Sequence, residues 1–121
     1  MITQKVTATP RIGLLMATCN QGKYLNTAIL SLLSQTYPHF SLAIVNDGST
    51  DRTQTILNQY QDPRIQILQT PQVGQIKALN VALDKGKPAN YYMVVYPTAI
   101  YIPKCLERLV ELLFQYPHAS G

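Results

Sequence analysis

Residues 46–51 read Asn-Asp-Gly-Ser-Thr-Asp, which puts two carboxylates, two hydroxyls and a glycine directly after the apolar run FSLAIV. A carboxylate at the end of such a run, Asp47, can accept hydrogen bonds from a nucleobase or a ribose hydroxyl. The same residues also suit a plainer task, an Asx turn in which Asp47, Ser49 and Asp51 cap the next helix. Three further stretches carry polar groups of comparable kind: ATCNQGK (17–23), TPQVGQ (70–75) and YPTAIY (96–101). Asn20 can cap a helix or meet a ligand, and Lys77 can face a phosphate or simply solvent. Cys19 has no histidine near it in sequence, His39 and His118 being remote, so a small apolar role fits it better than a nucleophilic one. Neither GxGxxG nor GxxxxGK[ST] occurs, which leaves a dinucleotide fold and a P-loop without their phosphate cradles. Glu107 and Glu111 lie one helical turn apart, a spacing shared by paired catalytic acids and by an ordinary solvated face.

The elements that must position these loops follow from periodicity. RIGLLMAT (11–18) is a continuous apolar run suited to a strand covered on both faces. KYLNTAILSLLSQTY (23–37) has Leu25, Ala28, Ile29, Leu32 and Leu33 at helical spacing and stops before Pro38. FSLAIVND (40–47) is a second strand, and STDRTQTILNQY (49–60) a second helix with Ser49 or Thr50 as N-cap and Ile56, Leu57 and Tyr60 buried. RIQILQT (64–70) reads as strand, GQIKALNVALDKG (74–86) as a helix burying Ile76, Leu79, Ala82 and Leu83 with Gly86 at its end. NYYMVVY (90–96) is a fourth strand. KCLERLVELLFQY (104–116) is a fourth helix, with Pro103 in its first turn and Leu106, Leu109, Val110 and Leu113 facing inward. Strand and helix thus alternate four times, the signature of a mainly parallel sheet sandwiched by helices. Ligands of such sheets sit beyond the carboxyl ends of the strands, where all four polar stretches lie.

Composition bounds the rest. The chain has 121 residues, 46% of them hydrophobic, enough for one domain with its own core, here 10–121 after a polar lead of 1–9. A net charge of +4 from scattered basic residues suits an anionic ligand and falls short of a nucleic-acid signature. The two cysteines fit neither CxxC nor metal-ligand spacing, so a reducing, cytoplasmic setting without a disulfide is expected. No apolar run approaches the roughly 18 residues needed for a transmembrane segment, and no signal peptide opens the chain.

Taken in order, ATCNQGKYLNTAILSLLSQTYPHFSLAIVNDGSTDRT, then GQIKALNVAL, then IYIPKCLERL resemble the opening of family 2 glycosyltransferases, inverting enzymes of the GT-A fold. The resemblance spans residues 10–116 and implies a Rossmann-like α/β sandwich of three layers that binds a nucleotide-sugar, typically a uridine diphosphate sugar (UDP-sugar). It implies that Asp47 meets the base and that Ala17, Cys19 and Asn20 form the turn around the base pocket. Gly74, Lys77 and Asn80 then belong to the helix near the diphosphate and ribose. At Cys19 the family often has a tyrosine, and at Leu79 an arginine.

The stretch YYMVVYPTAIYIP (91–103) holds no charged side chain. Where the family carries a DxD-type motif for Mg2+ or Mn2+, this chain has Tyr96, Pro97, Thr98 and Ala99, of which Thr98 alone retains a small polar group for the ligand. No metal is therefore expected here, and little or no turnover, because the family's catalytic base also lies beyond this region. Two readings stand side by side. One is a truncated nucleotide-sugar-binding part of a glycosyltransferase. The other is a non-catalytic interaction domain using Tyr91, Tyr92, Tyr96 and Tyr101 as a contact surface. Either way, a homo-oligomer through exposed sheet surface is expected.

Overall fold

The structure is a computed structural model that describes residues 9–115. Eight elements alternate along the chain: β1 (Ile12–Thr18), α1 (Gly22–Leu33), β2 (Phe40–Asp47), α2 (Thr53–Leu57), β3 (Ile65–Thr70), α3 (Gln75–Lys85), β4 (Tyr91–Val94) and α4 (Cys105–Gln115). The strands form one parallel sheet in the order β3-β2-β1-β4. Register places Thr18 beside Asn46 and Asp47 beside Thr70, so the strand ends carrying the polar loops are level.

Alternation along the two central strands divides the core between two faces. Ile12, Leu14 and Met16 of β1 and Phe40, Leu42 and Ile44 of β2 point to one side, where Leu25, Ala28, Ile29 and Leu32 of α1, Leu57 of α2 and Leu106 and Val110 of α4 close over them. Each fully buried Leu, Ile or Phe here contributes about 1.5–3 kcal/mol. Leu15, Ala43 and Val45 point to the other side and meet Ala78 and Ala82 of α3. The result is the expected three-layer α/β sandwich.

Several expected boundaries move, each for a local reason. α3 buries Ala82 against the sheet as expected and Ala78 beside it, and leaves Ile76 (78% exposed) and Leu83 (45%) in solvent, contrary to expectation. The apolar stripe of α3 is wide, and its alanine edge allows the helix to lie close over Ala43 and Val45. α1 ends at Leu33 rather than at residue 37. Beyond it, Gln35 turns inward, accepting the Leu106 N–H at 2.9 Å and donating to the Ile102 carbonyl at 2.7 Å, so that it caps α4 instead of extending α1. α2 is only five residues long, and the backbone N–H groups of Thr50 and Asp51, which precede it, donate to Asn20. β4 spans four residues at the sheet edge, alternately half-buried and exposed. Residues 1–8 of the polar lead, the expected helix end at Tyr116 and His118 lie outside the described residues. Among the described residues, no helix is long and apolar enough to cross a membrane.

Candidate functional site

Two side chains lock the loops beyond β1 and β2 together. Asn20 adopts φ 57°, a left-handed conformation that asparagine tolerates. Its Oδ1 accepts from the N–H of Thr50 at 2.7 Å and of Asp51 at 3.1 Å, while its own N–H donates to Ser49 Oγ at 2.9 Å. Asp51 returns the arrangement, its Oδ2 accepting from Gly22 N–H at 3.1 Å and its Oδ1 from Thr53 N–H at 2.9 Å. The caps expected of Ser49 or Thr50 are thus supplied by Asp51. Hydrogen bonds from the Thr53 side chain and backbone hold the Asp51 carboxyl below the usual aspartate range.

Asp47 is 4% exposed and does for the β3–α3 loop what Asn20 does for the β2–α2 loop. Its Oδ1 accepts from Thr70 Oγ1 at 2.6 Å and Val73 N–H at 2.7 Å, and its Oδ2 from Gly74 N–H at 2.9 Å. Burial pushes the carboxyl up, but these three donors outweigh it and hold the group below its ordinary value. Nearby, Gly48 has φ 70° and packs so tightly that a Cβ on it would lie 2.7 Å from Gln72 Cβ and 2.8 Å from Gln72 N. Only glycine fits there.

A cavity of about 230 Å3 opens between these loops and the end of β4, lined by Ala17, Thr18, Cys19, Gln21, Asp47, Gln75, Tyr96, Pro97 and Thr98. It lies beyond the carboxyl ends of β1 and β4, beside the point where strand order reverses. Of the residues expected from the sequence, Ala17, Cys19, Asp47 and Thr98 come together in its wall. Gly74 stands just behind, bonded to Asp47, and Asn20 is engaged with the neighbouring loop. Lys77 and Asn80 lie exposed on α3 and do not line the cavity. Glu107 and Glu111 are elsewhere, the first accepting from Thr36 Oγ1 at 2.8 Å and the second 3.9 Å from Arg108.

Thr18, Gln21 and Gln75 are wall residues that sequence reasoning passed over, and Thr18 is the one that bears on binding. It is 2% exposed, and among the described residues its Oγ1 is the one buried side-chain polar atom without a hydrogen-bond partner. Such an atom is costly to leave unpaired, and no feature of the sequence marks it, because its isolation depends on what other loops fail to bring near.

The corner at Tyr96–Ala99 is a closed turn. Tyr101 Oη accepts from Tyr96 N–H at 2.8 Å, Tyr96 carbonyl accepts from Ala99 N–H at 3.2 Å, and Tyr101 N–H donates to Ser31 Oγ at 3.0 Å. Burial raises the Tyr101 phenol above its usual range, so it remains neutral. Its oxygens are phenolic, hydroxyl or carbonyl, a set that does not fit Mg2+ or Mn2+, which take carboxylates together with phosphate and water. Among the described residues, no three His, Cys, Asp or Glu side chains converge on a point.

The family model described as glycosyl transferase family 2 matches residues 14–120. The chain belongs to glycosyltransferase family 2. The uncharacterized glycosyltransferase RP339 of Rickettsia prowazekii is 32% identical over 104 residues, which are 86% of this chain and 32% of that protein. The crystal structure of S. aureus TarS 1–349 superposes with a TM-score of 0.80 at 25% identity, covering 88% of this chain and 33% of that one. The same protein in complex with UDP-GlcNAc gives 0.81 at 23% identity, over 88% of this chain and 32% of that one. A mannosyltransferase from Pyrobaculum calidifontis in complex with GDP-Man and Mn2+ shares the fold, with a TM-score of 0.79 at 22% identity, covering 88% of this chain and 33% of that one. This glycosyltransferase domain spans about a third of the length of the curated relatives it matches.

Proposed function

We propose that this chain is the donor-binding part of a family 2 glycosyltransferase and holds the nucleoside end of a UDP-linked sugar destined for an acceptor hydroxyl. The observation that carries the reading is the cavity itself, a polar recess at the strand-order reversal whose wall contains an unpartnered buried hydroxyl, Thr18 Oγ1. Its volume of about 230 Å3 is below the ~300–1,000 Å3 of sites that enclose a whole drug-sized ligand, so it suits a base and leaves ribose, diphosphate and sugar outside. In this reading Asp47 offers its remaining lone pair to the base. Ala17 and Cys19 keep the recess open by being small, and Thr98 lies at its mouth. Lys77 and Asn80, exposed on α3 outside the cavity wall, take no part in holding the nucleoside in this reading. TarS, crystallised with UDP-GlcNAc, supports the uridine assignment. Two free cysteines suit a cytoplasmic site of action. Turnover by the 121-residue chain alone is expected to be negligible, because no residue of the cavity is placed to deprotonate an acceptor.

A thermal-shift titration with UDP, UDP-GlcNAc, GDP and ADP tests this. Uridine nucleotides at about 100 times their dissociation constant should stabilise the fold by about 2.7 kcal/mol. A flat response to all four would leave the second reading, a non-catalytic interaction domain. That reading draws on the exposure of Tyr92, Val94, Tyr96, Ile100 and Ile102 around β4.

A further inference from the structure

Among the described residues, none that lines the cavity carries a positive charge or a free carboxylate. Lys23 and Arg52 border a separate groove between α1 and α2, and Lys77 stands outside the wall. Asp47, the one acid in the wall, already accepts three hydrogen bonds with its two oxygens. A divalent cation would have to take Asp47 away from the β3–α3 loop, or settle for Tyr96 phenol, Thr98 hydroxyl and a Tyr96 carbonyl already bonded to Ala99. Neutral oxygens of this kind replace the hydration of Mg2+ or Mn2+ poorly.

We infer that the pocket binds its ligand without a divalent cation, by recognising the uncharged nucleoside through neutral hydrogen-bonding groups and drawing little affinity from the diphosphate. The inference rests on the nucleotide-binding reading above. It follows chemically because an unneutralised diphosphate beside polar but uncharged oxygens gains little over its hydration in water. The closed turn of Tyr96–Ala99, tied by Tyr101 Oη, keeps this corner in place without a metal to organise it.

Isothermal calorimetry on the full chain with uridine, UMP and UDP, each with EDTA or with MnCl2, provides the test. The three ligands should bind within about tenfold of one another, and Mn2+ should change none of them by as much as that factor. The variant Tyr96→Asp/Thr98→Asp places two carboxylates at exposed positions of the rim, so the fold should tolerate it. It should gain UDP affinity by at least about tenfold on adding Mn2+, while its uridine affinity is unaffected by the metal. Thr98→Asp alone serves if the double variant does not fold. Mn2+-dependent UDP binding by the unaltered chain would overturn the inference and leave the nucleotide reading standing. Absence of binding by every nucleoside and nucleotide, with or without Mn2+, would overturn both.

Discussion

Asn20 and Asp51 close each other's loops: Asn20 Oδ1 accepts the Asp51 N–H at 3.1 Å, and Asp51 Oδ2 accepts the N–H of Gly22, the first residue of α1, at 3.1 Å. Two loops far apart in sequence thereby behave as one rigid wall beside the cavity. A carboxylate at the start of α1 also meets the positive end of the helix dipole. The polar residues that look like ligands from the sequence are therefore largely consumed in building the site.

Replacing Asn20 separates backbone from side-chain effects. Asn20→Gly keeps the left-handed conformation and removes the hydrogen bonds to Thr50 and Asp51, and it should cost about 1–2 kcal/mol. Asn20→Ala adds the strain of a positive φ and should cost about 1 kcal/mol more. Urea denaturation measures both, and equal losses for the two variants would count against the conformational part.

Thr18 should show opposite signs in stability and binding. Thr18→Val removes a buried hydroxyl that has no partner, so the free protein should become more stable, by about 1 kcal/mol. Stabilisation by UDP should fall sharply in the same variant and persist in Thr18→Ser. A Thr18→Val protein that is destabilised, or that binds UDP as before, would show that the hydroxyl has another role.

The folded-state pKa of Asp47 lies below its unfolded value, so its contribution to stability is fully present above the unfolded pKa of about 3.9 and is lost as pH falls through the folded pKa. Asp47→Asn should therefore be less stable at neutral pH and should show a shallower decline of Tm between about pH 5 and pH 2. Asp51 and Asp62, whose pKa values are also lowered, supply the acid sensitivity that remains. Parallel Tm profiles for the two proteins would sink this account.

Among the described residues β4 has no strand neighbour on its outer edge, and it exposes Tyr92 (43%) and Val94 (39%) on the α3 side of the sheet, beyond the strands β1 and β2 that α3 covers. Edges of this kind, lacking a charge, tend to pair with another chain. Light scattering on the 121-residue chain should show a mass that rises with concentration, and Val94→Lys should return it to that of a monomer. A strict monomer at every concentration removes the proposed oligomer.

Much of the architecture was legible in the sequence, because the alternation of the strands and the 3.6-residue spacing of the helices are local properties that burial merely selects. Period and order placed eight elements and put Ala17, Cys19, Asp47 and Thr98 at the carboxyl end of the sheet. Local pattern does not decide which part of a wide apolar stripe a neighbour covers, so Ala82 is buried as expected but Ala78 joins it against the sheet, while Ile76 and Leu83 stay in solvent. It was equally silent on the turn before α2, where Asn20, some thirty residues upstream, accepts the N–H groups of Thr50 and Asp51. Whether Asp47 is free for a ligand depends on donors from Thr70, Val73 and Gly74 that reach it only once the sheet is formed, and whether Thr18 has a partner depends likewise on what the folded loops bring near it. Hydrogen-bond satisfaction is a property of three-dimensional neighbours, and tertiary structure alone decides it.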